Sequence, residues 1–136
     1  MSYCCTFSDC GCKIIKVDTT PIVKLPSNVL DKFHLMQKGK DQHKGQEIDG
    51  YSNFLLINDV WDFDNIGVSK EIPTTSEILD HIEFEYGNEK WEINKHLKYL
   101  VCADCDRGPV GIVCSIKCNG QMKTVYLLSL PSVSQT

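Results

Sequence analysis

Eight cysteines stand in two groups with a long cysteine-free stretch between them, and no other feature constrains this chain as much. Cys4, Cys5, Cys10 and Cys12 lie near one end; Cys102, Cys105, Cys114 and Cys118 lie near the other. The opening MSYCCTFSDCGCK has neither a basic n-region nor an apolar h-region, so it does not read as a secretory signal. The expected setting is cytoplasmic and reducing, where clustered cysteines point to metal or redox chemistry rather than a disulfide framework.

A structural zinc takes four ligands, usually as two short pairs whose chain reversals aim both sulfurs at one point. Cys102-x-x-Cys105 has the standard spacing. At the other end Cys5-x4-Cys10 falls within the permitted range, with Cys4 and Cys12 as competitors. A pair with a single intervening residue, such as Cys10 and Cys12, strains the chelate. The expected ligand set is therefore Cys5, Cys10, Cys102 and Cys105. Four thiolates fill the shell, which makes the ion (Zn2+) structural and leaves no open position for catalysis. Bridging segments so far apart would offset a modest core, since a structural zinc contributes on the order of 10 kcal/mol to folding. A redox C-x-x-C normally sits at a helix N-terminus in a βαβ setting, and that setting is missing here. Cys114 reads as a packed residue of the alternating run GIVCSIK. Cys118 reads as partly exposed beside a turn, with no histidine nearby to activate it.

The 136 residues read as one domain, mostly β, with small antiparallel sheets and a short helical segment, stapled by the zinc. KIIKV and NFLLI read as strands. FEYGNEKWEI reads as a hairpin around the polar turn GNEK, and GIVCSIKCNGQMKTVYLLSL as a second one around Asn119-Gly120. TSEILDHIEF reads as one or two helical turns capped by Thr75 or Ser76. Residues 36–50 carry almost no apolar side chain and read as a mobile loop. PSVSQT reads as frayed.

The formal charge of −4 and the single arginine, Arg107, argue against a phosphate-backbone partner. No apolar run is long enough to span a membrane. His34, His43, His81 and His96 are scattered, and no phosphate loop, nucleophile triad or carboxylate pair appears. The segment NDVWDFDNIGVSKEIP superficially resembles a calcium loop. Counted from Asp62, however, Ile66 and Pro73 occupy two positions that must supply oxygen. Read as a strand, the segment puts Asp59, Trp61 and Phe63 on one face and Val60, Asp62 and Asp64 on the other. Large aromatics set among carboxylates fit either a core strand or a docking surface of apolar anchors with an acidic rim. With no apolar self-association stripe, the default is a monomer.

The runs DVWDFDNIGVSKEIP and KYLVCADCDRGPVGIVC, following an N-terminal cysteine pair, resemble the Mss-four/Dss-four family of Rab-interacting factors, in its fungal form. The resemblance covers nearly the whole chain apart from residues 36–50 and the last few. It implies a zinc-bound β-tent fold and binding to Rab-type small GTPases of the secretory pathway. Members promote release of guanine nucleotide and hold the nucleotide-free Rab, as slow exchange factors or chaperones without covalent chemistry. By position, Cys102 and Cys105 match the family's C-terminal zinc pair, and Cys5 and Cys10 its N-terminal pair. The N-terminal spacing departs from the animal C-x-x-C and leaves Cys4 and Cys12 as substitutes. The Rab-facing residues would be Asp59, Val60, Trp61, Phe63, Asp64, Asn65 and, beside the zinc, Asp104. The rival reading is a zinc-bound methionine sulfoxide reductase of the B type, which shares the fold and would use Cys118 as its reactive thiol.

Overall fold

Alternation of buried side chains organises the chain into strands, some paired with their sequence neighbours and others, such as β1 with β10 and β4 with β9, paired across the chain. The computed structural model describes residues 2–5, 10–16, 21–26, 29, 35, 51–69, 82–105 and 109–135. Among them run ten strands: β1 (Ser2–Cys5), β2 (Lys13–Lys16), β3 (Ile22–Pro26), β4 (Tyr51–Ile57), β5 (Ile66–Val68), β6 (Glu83–Tyr86), β7 (Glu89–Cys102), β8 (Gly111–Cys118), β9 (Gln121–Ser129) and β10 (Val133–Gln135). The large sheet has the order β3-β4-β9-β8-β7-β5, with β6 on the outer edge of β7 as well. A three-stranded sheet has the order β10-β1-β2. Every pairing is antiparallel, in line with the mostly β expectation.

The large sheet is buried on both faces, which explains why NFLLI lacks a polar alternate. Phe54 and Leu56 of β4 enter one core cluster with Ile112, Cys114 and Ile116 of β8 and Leu127 of β9. Their neighbours Leu55, Ile57, Val113 and Leu128 enter a second cluster on the opposite face, with Ile14, Ile15 and Val133 of the small sheet. The period of two thus fills both cores from the same strands.

Two tight turns connect the best-paired strands. Gly87-Asn88 have φ of 62° and 64°, and Asn119-Gly120 have 50° and 81°. Positive φ at both central positions is the two-residue geometry whose twist matches a hairpin. The first turn is therefore shorter than the expected GNEK, because Glu89 and Lys90 already belong to β7, paired with Tyr86 and Glu85. Gly111 is required for a different reason. A Cβ there would fall on the carbonyl oxygen of Leu127, so only a glycine lets β8 and β9 approach this closely.

Two expectations are corrected. Residues 131–135 of PSVSQT are not frayed: Leu130–Ser132 form a 3-10 turn with Pro131 and Ser132 buried, and β10 pairs with β1, Cys5 opposite Val133. The anchor is Val133, whose side chain is buried in the second core cluster. Cys118 is not partly exposed but 7% accessible, covered where the β8–β9 turn meets Glu89. Residues 36–50, most of the expected helical stretch at 75–84, and His34, His43, His81 and Arg107 lie outside the described residues. Of that stretch Glu83 and Phe84 are strand, in β6.

Candidate metal centre

Five sulfurs converge where the small sheet meets the end of β7. β1 delivers Cys5 at its last position, and Gly11, with φ of 60°, turns the chain between Cys10 and Cys12 into β2. The Cys5 N–H donates to the Cys12 carbonyl at 2.9 Å, which closes this knuckle. From the other side β7 ends on fully buried Cys102, and the turn Ala103–Cys105 brings Cys105 back over it.

Sγ of Cys5 lies 3.7 Å from that of Cys105, and Sγ of Cys10 lies 3.7 Å from that of Cys102. All four sulfurs fall within 4.8 Å of one another. Zinc–sulfur bonds of about 2.3 Å in a tetrahedron require sulfur–sulfur edges of about 3.8 Å, so the spacing fits such an ion. The cluster could hold a metal. Cys102 is already biased toward the thiolate a metal needs. Burial pushes its thiol up, but backbone N–H groups of Cys105 and Asp104 and the Cys12 thiol donate to the sulfur and bring it to about 7.

The other two N-terminal cysteines differ: Cys12 stands with Cys10 and Asp104 in a second group whose ligand atoms lie within 4.8 Å of one another, and Cys4 does not. Cys4 neighbours Cys5 on a strand and therefore points to the opposite face; among the described residues it joins no metal-holding group. Cys12 lies 3.1 Å from Cys102, closer than any tetrahedral edge allows. Burial, and then its hydrogen bonds with Cys102 and Cys10, push its thiol well up. Spacing alone ranked Cys12 low as a ligand and gave no hint of this contact.

The aromatic-acidic segment is fastened to the same place. Ile66 of β5 pairs with Cys102, Asp64 N–H donates to the Ile14 carbonyl at 2.7 Å, and Asn65 Nδ2 donates to the Lys13 carbonyl at 2.7 Å. Lys13 Nζ stands 3.8 Å from Asp64 Oδ2. One short stretch thus bridges the strands that carry both knuckles. Lys13 has no sequence signal for this role, because its partners lie some fifty residues away.

The strand reading of this segment is overturned. Asp59 Oδ1 accepts from the Trp61 N–H at 2.9 Å and caps a 3-10 turn over Val60–Asp62. The turn breaks the alternation that would have put Trp61 and Phe63 on one face. Trp61 is 87% exposed, whereas Phe63 is 8% exposed and packs edge-on to Tyr126, centroids 6.3 Å apart. Val60 is half-buried against the second core cluster, and Asp59, Asp64, Asn65 and Asp104 are exposed. Asp104 Oδ2 lies 3.4 Å from Cys10 Sγ.

A converging cysteine quartet that couples two distant knuckles beside an exposed aromatic turn defines a small, mostly β domain whose cysteine cluster could hold a metal. The Mss4 protein family matches residues 2–134, and the chain belongs to that family. Its similarity to Protein DSS4 of Saccharomyces cerevisiae is 41% identity over 135 residues, covering 95% of this chain and 92% of the relative. No solved structure matches.

Proposed function

We propose that this chain binds a Rab-type small GTPase of the secretory pathway, promotes release of its guanine nucleotide and holds the nucleotide-free form, without covalent chemistry. The observation that carries this reading is family membership across nearly the whole chain, with the specific Trp61 and C-A-D-C segments intact. The surface suits the task. An almost fully exposed Trp61 is the kind of aromatic that serves as an interface anchor. Asp59, Asp64, Asn65 and Asp104 are exposed polar groups of the proposed surface, and buried Phe63 follows the turn.

The metal in this reading is zinc, held by Cys5, Cys10, Cys102 and Cys105, and its contribution is structural. It fixes the knuckle that carries Asp104 and, through β2 and β5, the turn that carries Trp61. A ligated Cys10 thiolate has no proton to give Asp104, so the carboxylate is left to accept from basic groups around an emptied nucleotide pocket. Binding that favours the empty pocket lowers nucleotide affinity, and by linkage nucleotide lowers the affinity for this chain by the same factor.

The reductase alternative finds no support at Cys118. Burial and then the Glu89 carboxylate, 3.5 Å from its sulfur, raise the thiol away from the reactive thiolate. The test of the main reading is release of a fluorescent guanine nucleotide from a panel of secretory Rabs. Accelerated release from a subset, with a nucleotide-free complex on gel filtration, is the expected result. No acceleration and no complex with any of them, using metal-loaded protein, would refute it.

A further inference from the structure

The cysteine centre holds one sulfur more than a tetrahedral ion can use. Two sulfur–sulfur distances, Cys5 to Cys105 and Cys10 to Cys102, have the length of tetrahedral edges. The third, Cys12 to Cys102 at 3.1 Å, is the shortest of them and does not fit such an edge. Cys12 is half-exposed, and Cys102 beneath it is fully buried. An accessible thiol outside the ligand quartet therefore rests directly on the most enclosed ligand within it.

We propose that Cys12 and Cys102 form a redox-active thiol pair, so that peroxide closes a Cys12–Cys102 disulfide and releases the metal. The inference rests on Cys5, Cys10, Cys102 and Cys105 being the ligand quartet. Cys12 is partly exposed, as are Cys10 and Cys105, and peroxide reaches the pair from that side. One sulfur of the pair attacks one peroxide oxygen, the O–O bond breaks, one water leaves and that sulfur becomes a sulfenic acid. The other sulfur of the pair then attacks it. The S–S bond forms, the S–O bond breaks, and the departing hydroxide takes up a proton to become the second water. Two thiols lose two electrons and two protons in all, and one hydrogen peroxide becomes two waters. A disulfide sulfur is a far poorer donor than a thiolate, so the quartet loses a ligand. Cys5–Cys105 and Cys10–Cys102 stand 3.7 Å apart, a spacing a bound ion would maintain, whereas Cys12–Cys102 at 3.1 Å is the closer pair and the one able to close first.

The experiment treats the purified full chain with hydrogen peroxide and follows metal release with a chromogenic chelator. Peptide mapping after alkylation identifies the disulfide. Metal released in step with a Cys12–Cys102 disulfide, and taken up again after a thiol reductant and added zinc, is the expected result. Cys12→Ser should retain its metal before treatment and keep it through a peroxide exposure that strips the wild type. A disulfide mapped to another pair, or Cys12→Ser losing metal as fast as wild type, would overturn the proposal. So would untreated Cys12→Ser without metal, since Cys12 would then be a ligand. Untreated wild type without metal would instead sink the quartet reading, while the peptide map would still decide which thiols pair.

Discussion

Strand β7 joins two regions built on different principles. At its beginning, Trp91 is 6% exposed, donates Nε1–H to the Tyr86 carbonyl at 3.2 Å and lies under Lys123, whose ammonium is 5.8 Å from the ring. At its end, Cys102 joins sulfurs from residues about a hundred positions away. The first region is held by apolar packing and a local turn; the second adds to its own apolar cluster a set of converging cysteines that could hold a metal. The two tryptophans express the difference, since Trp91 is part of the packing and Trp61, on the side of the cysteines, is left exposed.

The largest test of this contrast is removal of the metal, by chelation or by Cys102→Ser. Hydrogen exchange should show protection lost in β1, β2 and residues 59–65 while β8 and β9 keep theirs. The melting of all strands together would mean that the two regions are one cooperative unit. Trp91→Ala should cost about 3–5 kcal/mol in urea denaturation, the usual range for a buried aromatic, with the metal content unchanged. Loss of metal in this variant would show that packing at one end governs ligation at the other.

The two regions also differ in how readable they are. The packed one follows from local signals. Asn119-Gly120 fixes one hairpin, and alternation in FEYGNEKWEI fixes the other except that the turn closes two residues earlier. At the ligated end the C-x-x-C spacing identified the cysteines that come together, but not the geometry around them. The 3-10 turn depends on one Asp59 hydrogen bond that composition does not reveal, and this is why Trp61 and Phe63 part company. The burial of Val133 and the Lys13 contacts are set by segments remote in sequence, beyond the reach of any local pattern.

Smaller perturbations refine the comparison. Gly111→Ala forces β8 and β9 apart at a place that both regions share, and about 1–3 kcal/mol should be lost in urea denaturation, as for other overpacked sites. His96 lies between the regions, at a bulge in β7. Burial lowers its pKa from 6.5 to about 4, opposed by the hydrogen bond to the Lys98 carbonyl. The unfolded chain takes up this proton below about 6.5 and the folded chain only near 4. Stability from neutral His96 is therefore complete above 6.5 and declines as pH falls toward 4. Denaturation midpoints of wild type against His96→Gln across that window should converge or cross on acidification; a constant difference would rule the effect out. The smallest effect on stability should come from Trp61→Ala, within about 0.5 kcal/mol. The same variant should nonetheless lose acceleration of nucleotide release, separating surface from scaffold.

The pairing of β1 with β10 sets the order in which the molecule can be finished. Cys5 lies on a strand whose outer neighbour is Val133–Gln135 and whose metal partners begin at Cys102. During synthesis the N-terminal knuckle waits, sulfurs bare, through the 92 positions that separate Cys10 from Cys102. Closing a loop of that length adds an entropic cost that grows only slowly, as (3/2)RT ln n, yet the contacts that repay it all arrive late. The hairpin strands can assemble meanwhile. The domain should therefore mature from its packed end toward its cysteine-rich one, with ion capture among the last events, and the surface around Trp61 takes shape only once β10 has been made.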